Sequence, residues 1–145
     1  MTSRSKLVKV RYVKWLPFGA RGMVPLPELI LLHESVRHSP FNQRHSVIVH
    51  ERIHVKQIRR DGYWRWLRSY FFSGRQRAMY EAEAYGAQIK FLWVQGDIAD
   101  LALDRYVARV AKSIRLEYFW PRRKWFGKAP AAGSIKSMMI GFMID

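Results

Sequence analysis

His50-Glu51-Arg52-Ile53-His54 is the one stretch in which residue types and spacing together specify a chemistry, and the rest of the chain is read around it. On a helix, positions i and i+4 lie about 40° apart round the axis and about 6 Å apart along it, so both imidazoles face one point. Zinc accepts neutral imidazole nitrogen in a tetrahedral set, and two histidines one turn apart make half of such a site. Glu51 lies about 100° round from His50. There its carboxylate stands beside the open position of a metal and takes a proton from water instead of acting as a ligand. The flanking residues suit a helix buried on most sides: Val47, Ile48, Val49, Ile53, Val55 and Ile58 are apolar. No Gly or Pro interrupts residues 45 to 61, and Asp61-Gly62 supplies a stop.

Two histidines leave the shell incomplete, and a catalytic zinc takes a third protein ligand while keeping a fourth position for water. Gln76 to Gln95, ended by Gly96, is predicted as a second long helix. Its segment Met79-Tyr80-Glu81-Ala82-Glu83-Ala84-Tyr85 offers two carboxylates. They cannot both face inward, because i and i+2 diverge by about 200°. Glu83 is favoured: Ala82 and Ala84 let a second helix approach, and Tyr80, Ala84, Ala87 and Phe91 would share its buried side. Glu81 is the alternative.

One hundred and forty-five residues fit a single domain. The absence of cysteine excludes a disulfide framework and a thiolate-ligated zinc. A formal charge of +15 calls for an anionic neighbour, whether nucleic acid, an envelope surface or a larger protein assembly. Met1 to Arg21 has no continuous apolar core and does not read as a signal peptide. The longest apolar runs, Leu29 to Leu32 and Met138 to Ile144, fall short of the roughly 20 residues a spanning helix needs. A soluble protein is expected, cytoplasmic or part of a larger assembly.

In chain order, Lys6 to Val13 alternates basic and apolar residues and reads as a half-exposed strand. Pro17 to Pro27 reads as a loop and Glu28 to His33 as a short strand. Tyr63 to Phe72 interleaves aromatics with arginines; it reads first as a short helix closing the core, and second as a platform for stacking or for an anionic surface. Asp97 is expected to cap a third helix running to about Arg115. Residues 121 to 145, with Arg122, Arg123, Lys124 and Lys128, read as a basic extension beyond a domain of residues 1 to 120. His33, His38 and His45 lack a helical partner and read as solvated or hydrogen-bonded side chains.

The elements His50, Glu51, His54 and Gln57, then Glu81, Glu83 and Ala84, resemble the gluzincin class of zinc peptidases, in particular its minimal single-domain members carrying H-E-x-x-H-x-x-Q and E-x-E-A. The resemblance covers residues 28 to about 95. The metzincin pattern is not met, since it needs glycine at Gln57 and histidine at Arg60. The resemblance implies His50, His54 and Glu83 as ligands of one Zn2+, Glu51 as general base, and a peptide or protein substrate that could add as a strand beside Glu28 to His33. Thermolysin-like members place an aspartate four residues after the glutamate ligand, where Ala87 stands. Gln57 would hydrogen-bond a ligand or line the cleft, and His33, Tyr80 and Tyr85 are the candidates for an oxyanion donor.

The expected architecture is α+β: a small sheet packed on a helical core, with the H-E-x-x-H helix and a glutamate-bearing second helix in a minimal zincin-like arrangement. The expected function is zinc-dependent hydrolysis of peptide bonds through a Glu-activated water. Its rival is a non-catalytic basic component of a larger assembly, associated with nucleic acid or an envelope, that keeps the same fold.

Overall fold

The computed structural model describes residues 7 to 117 and 130 to 144. Its order of elements is β1 (Lys9–Val13), a 3-10 turn at Pro17–Gly19, β2 (Gly22–Leu26), β3 (Leu29–His33), α1 (Glu34–Arg37), α2 (Phe41–Asp61), α3 (Tyr63–Phe72), α4 (Gly74–Val94), α5 (Asp100–Glu117) and α6 (Ala132–Ile144). The fold is α+β, with one small sheet and a core that is mostly helical.

The strands run in the order β1-β3-β2. β1 is parallel to β3, in the register Lys9 with Leu29 through Val13 with His33. β2 is antiparallel to β3, with an irregularity between Met23 and Leu26 where Pro25 interrupts the strand. Proline cannot donate to a ladder, so β2 is suited to the edge it occupies. The expected loop at Pro17 to Pro27 therefore contains a strand, which its prolines and glycines conceal. β3 occupies the middle and points Ile30 and Leu32 into the core. Both of its edges are taken, so the strand addition expected beside Glu28 to His33 has no room there. Among the described strands, the outer edges belong to β1 and β2.

α2 starts at Phe41 behind Pro40 and stops at Gly62, whose φ of 85° suits glycine and whose N–H donates to Ile58 O at 2.9 Å. Ser73 caps α4 by accepting from the N–H of Gln76 at 3.2 Å. α5 begins at Asp100, three residues beyond the expected Asp97 cap.

Two apolar clusters share these helices. One joins the sheet to α1, α2, α3 and the start of α4 through Val24, Ile30, Leu32, Val36, Val55, Ile58, Trp66 and Tyr80. The other joins α4, α5 and α6 through Ala82, Ile89, Val107, Ile114, Ile135 and Met139. α6 falls within the stretch read as a basic extension, yet Ile135, Met139 and Met143, spaced four apart, form a stripe that packs on α4 and α5. It lies close at Gly86, where an added Cβ would lie 3.1 Å from Met139 O. Arg122, Arg123, Lys124 and Lys128 lie outside the described residues. No described helix is long and apolar enough to cross a membrane.

Candidate metal centre

α2 and α4 lie side by side and antiparallel. His54 meets Glu81, His50 meets Glu81 and the ring of Tyr85, and Ser46 Oγ accepts from Gln88 Nε2 at 3.2 Å. Glu81, Tyr85 and Gln88, at i, i+4 and i+7, form the polar stripe of α4 that faces α2. His50, His54 and Glu81 are the group of possible metal ligands found among the described residues.

The structure thus brings Glu81 to the imidazoles, and Glu83 goes elsewhere. Glu83 accepts from Gln57 Nε2 at 2.9 Å and from Arg60 Nη1 at 3.2 Å, at the rim of the seam. The packing of α4 explains why Glu81, and not the favoured Glu83, faces the imidazoles. The helix is buried on two sides, by α2 and by α5 with α6, so small apolar neighbours such as Ala82 and Ala84 mark the burial of the helix and not the face turned to α2. The turn spacing from Glu83 leads to Ala87 and Lys90, whereas that from Glu81 leads to Tyr85 and Gln88, which meet His50 and Ser46 of α2.

The donor atoms have the spacing a small tetrahedral cation needs. His50 Nε2 and His54 Nε2 are 3.2 Å apart, His50 Nε2 is 3.3 Å from Glu81 Oε2, and His54 Nε2 is 3.5 Å from Glu81 Oε1. Bonds of 2.0 to 2.1 Å at tetrahedral angles separate ligand atoms by about 3.3 to 3.4 Å. Two imidazole nitrogens and a carboxylate are also a donor set that zinc accepts. These three residues could therefore hold zinc and leave a fourth position open.

The surrounding hydrogen bonds fix how the donors are presented. Gln57, fully buried, gives both of its amide hydrogens away: Nε2 donates to Tyr80 O and to Glu83 Oε2, each at 2.9 Å. Its Oε1 therefore faces the other way and accepts from Trp66 Nε1 at 3.3 Å and from His54 Nδ1 at 2.9 Å. With the proton of His54 held on Nδ1, the lone pair is on Nε2, aimed at the centre. On Glu81, Tyr70 donates its hydroxyl hydrogen to Oε1. His50 Nδ1, by contrast, is buried without a hydrogen-bond partner among the described residues.

The two carboxylates of the seam are driven in opposite directions. Glu51 is pushed up to about 7, chiefly by burial, with His54 pulling it down and Glu81 pushing it up. Burial would raise Glu81 as well, but His54, His50 and the Tyr70 hydroxyl outweigh it and hold this carboxyl well below the ordinary range. Glu81 is therefore ionised at neutral pH, whereas Glu51 is poised between its two forms. All of these groups are deep in the seam: His50 is 8% exposed, Glu51 4%, His54 5% and Glu81 3%. β2 covers them on one side, and an added Cβ at Gly22 would lie 2.5 Å from Glu51 Oε1.

The remaining candidates divide. Tyr85 is at the site, its ring centroid 4.4 Å from that of His50. Tyr80 contributes its carbonyl to Gln57, but its hydroxyl donates to Asp61 Oδ2 at 2.8 Å, in a group at the end of α2 where Arg60 holds Asp61 below its ordinary range. His33 is a cap: Nδ1 accepts from the N–H of Ser35, and the Nε2 hydrogen goes to Lys14 O at 3.0 Å. Neither the Tyr80 hydroxyl nor His33 is placed to serve as an oxyanion donor. Trp66, Tyr70 and Gly22 were not foreseen at the site. The i, i+4 spacing of Trp66 and Tyr70 was the available signal, because it puts both rings on the inner face of α3.

Searched against protein-family models, curated proteins and solved structures, the chain matches none.

Proposed function

We propose that this chain is a zinc-dependent hydrolase of peptide bonds, built as a minimal gluzincin-like domain with His50, His54 and Glu81 as ligands and Glu51 as general base. The observation that carries the reading is the close cluster of donor atoms, two imidazole nitrogens 3.2 Å apart that lie 3.3 and 3.5 Å from the two oxygens of Glu81, with a second, non-ligating carboxylate, Glu51, buried beside it. Bound zinc would supply a lowered pKa for water and polarisation of a carbonyl. Glu51 takes the proton from the attacking water and hands it to the leaving amine; a group raised toward neutrality suits both transfers. Gln57 keeps His54 in the ligating tautomer, and Glu81, held ionised, balances the charge of the cation. A peptide would add along the outer edge of β2, which passes Glu51 at Gly22.

The deep burial of the donors also fits a second reading, in which the metal only ties α2 to α4 in a non-catalytic basic component. A structural zinc site is closed by four protein ligands, however, and has no use for a buried carboxylate beside three. Metal analysis of protein purified without chelators should find one zinc per chain. Glu51→Gln should keep that zinc and lower hydrolysis of an unstructured protein substrate about 10²- to 10⁴-fold. Absence of zinc removes the basis of both readings, and zinc without any Glu51-dependent hydrolysis leaves the structural one.

A further inference from the structure

The two oxygens of Glu81 face the imidazoles almost equally: Oε2 lies 3.3 Å from His50 Nε2, and Oε1 lies 3.5 Å from His54 Nε2. The histidines therefore do not select one oxygen over the other. A carboxylate that gave both to a cation would, with two imidazoles, supply four donor atoms and close a tetrahedral shell. Tyr70 distinguishes them. Its hydroxyl reaches Oε1, and because Glu81 is ionised and can only accept, the hydrogen of that bond is the phenol's. The phenol ring is itself held. Trp66 stacks on it with centroids 4.8 Å apart, and the Arg77 guanidinium lies 4.6 Å from its centroid. Trp66 in turn donates to Gln57 Oε1 at 3.3 Å, the same oxygen that accepts from His54 Nδ1. Through two rings one turn apart, α3 thus reaches both the carboxylate and an imidazole of the cluster.

We propose that Tyr70 is a positioning residue that sets which oxygen Glu81 offers: with Oε1 engaged by the phenol, Oε2 alone is presented to the cation, and the fourth position stays open. This role rests on the hydrolase reading above and deepens it. Turning Oε1 toward the cation would give up a hydrogen bond between a hydroxyl and an ionised acceptor, which is the stronger kind. The phenol cannot easily follow the carboxylate, since Trp66 fixes its ring and Gln57 fixes Trp66. The consequence reaches Glu51. A buried carboxylate that serves as a base has a use only beside a centre with an open position, and a shell closed by both oxygens of Glu81 would leave it none.

Infrared difference spectra of the whole chain, zinc-loaded minus chelator-treated, test this role. A carboxylate that binds a metal through one oxygen has its antisymmetric and symmetric stretches farther apart than one that binds through both. Recording the spectra with Glu51→Gln in place leaves Glu81 as the carboxylate among the donors. With Tyr70 present the separation should be wide, and adding Tyr70→Phe should narrow it while one zinc per chain is kept. Tyr70→Phe retains the ring and its stacking on Trp66, and should retain the helical circular dichroism of the parent. Tyr63→Phe is the control: it removes a hydroxyl that α3 donates to Pro25 O at 3.0 Å, and should leave the separation wide. With Glu51 intact, Tyr70→Phe should also lower hydrolysis of an unstructured protein substrate about 10- to 100-fold. A narrow separation with Tyr70 present overturns the proposal without recourse to the variant. Stretches that Tyr70→Phe leaves unmoved, or zinc lost altogether in that variant, overturn it while the hydrolase reading stands. Zinc that does not bind the parent chain overturns both.

Discussion

Glu81 and Glu83 stand two positions apart on α4 and meet opposite fates, one ionised among imidazoles and the other paired with Arg60 and Gln57. Glu81→Ala should weaken zinc binding by more than a hundredfold in a chelator competition titration, and Glu83→Gln by no more than tenfold, because only the former removes a proposed ligand. Gln57→Met should cost 10- to 100-fold in the same titration, by freeing the tautomer of His54. Glu51 makes the metal-free protein sensitive to pH. Its carboxyl rises from an ordinary 4.5 to about 7 on folding, so between those values the unfolded chain is ionised while the folded one holds a proton, and stability falls as pH rises. Glu81 acts in the other direction, adding stability above its ordinary value and losing it as the pH falls below that value. Urea unfolding of chelator-treated protein should therefore show a maximum near pH 5 and a loss on the order of 1 to 3 kcal/mol by pH 8. Glu51→Gln should flatten that decline; a slope unchanged in the variant would assign it to another group.

α2 was legible because its signals agree: an unbroken run of helix-compatible residues, a glycine at the end, and two histidines whose spacing has meaning only on a helix. β3 was legible for the same kind of reason, as a short apolar run between turn residues. β2 was not, since Gly22 and Pro25 are turn formers by composition and become strand residues only because β3 offers a ladder and Glu51 leaves no room for a side chain at Gly22. α6 was hidden by its neighbours, whose basic character extended the reading of a solvated tail across a stripe of Ile135, Met139 and Met143. Since Met139 is fully buried against α4, Met139→Ala should cost about 2 to 5 kcal/mol in urea unfolding. A cost below 1 kcal/mol would return α6 to the status of an appendage. Gly22→Ala tests the covering strand. The added methyl would lie 2.5, 2.8 and 2.9 Å from Oε1, Cδ and Cγ of buried Glu51, so melting temperature should fall and hydrolysis with it as the base is displaced, while zinc content should hold.

At the scale of the molecule, α4 is the element common to both apolar clusters, and the candidate metal centre lies where α4 meets α2. The metal-free seam buries two imidazoles, two carboxylates and a His50 Nδ1 without a partner among the described residues, groups whose burial costs free energy when they are imperfectly paired. A cation that binds only the folded chain shifts folding by RT ln(1 + [L]/Kd), or about 4 kcal/mol at a thousandfold excess over Kd. Since the ligands come from α2 and α4 together, and these helices carry both clusters, that free energy should raise one cooperative transition instead of the end of a single helix. Calorimetry of chelator-treated and zinc-loaded protein should show a single peak at higher temperature on loading. The shift should vanish in Glu81→Ala, persist in Glu83→Gln, and persist in Glu51→Gln, which removes a base and spares the ligands. A melting temperature indifferent to zinc in the parent chain would mean that the seam holds its imidazoles and Glu81 together by hydrogen bonding alone.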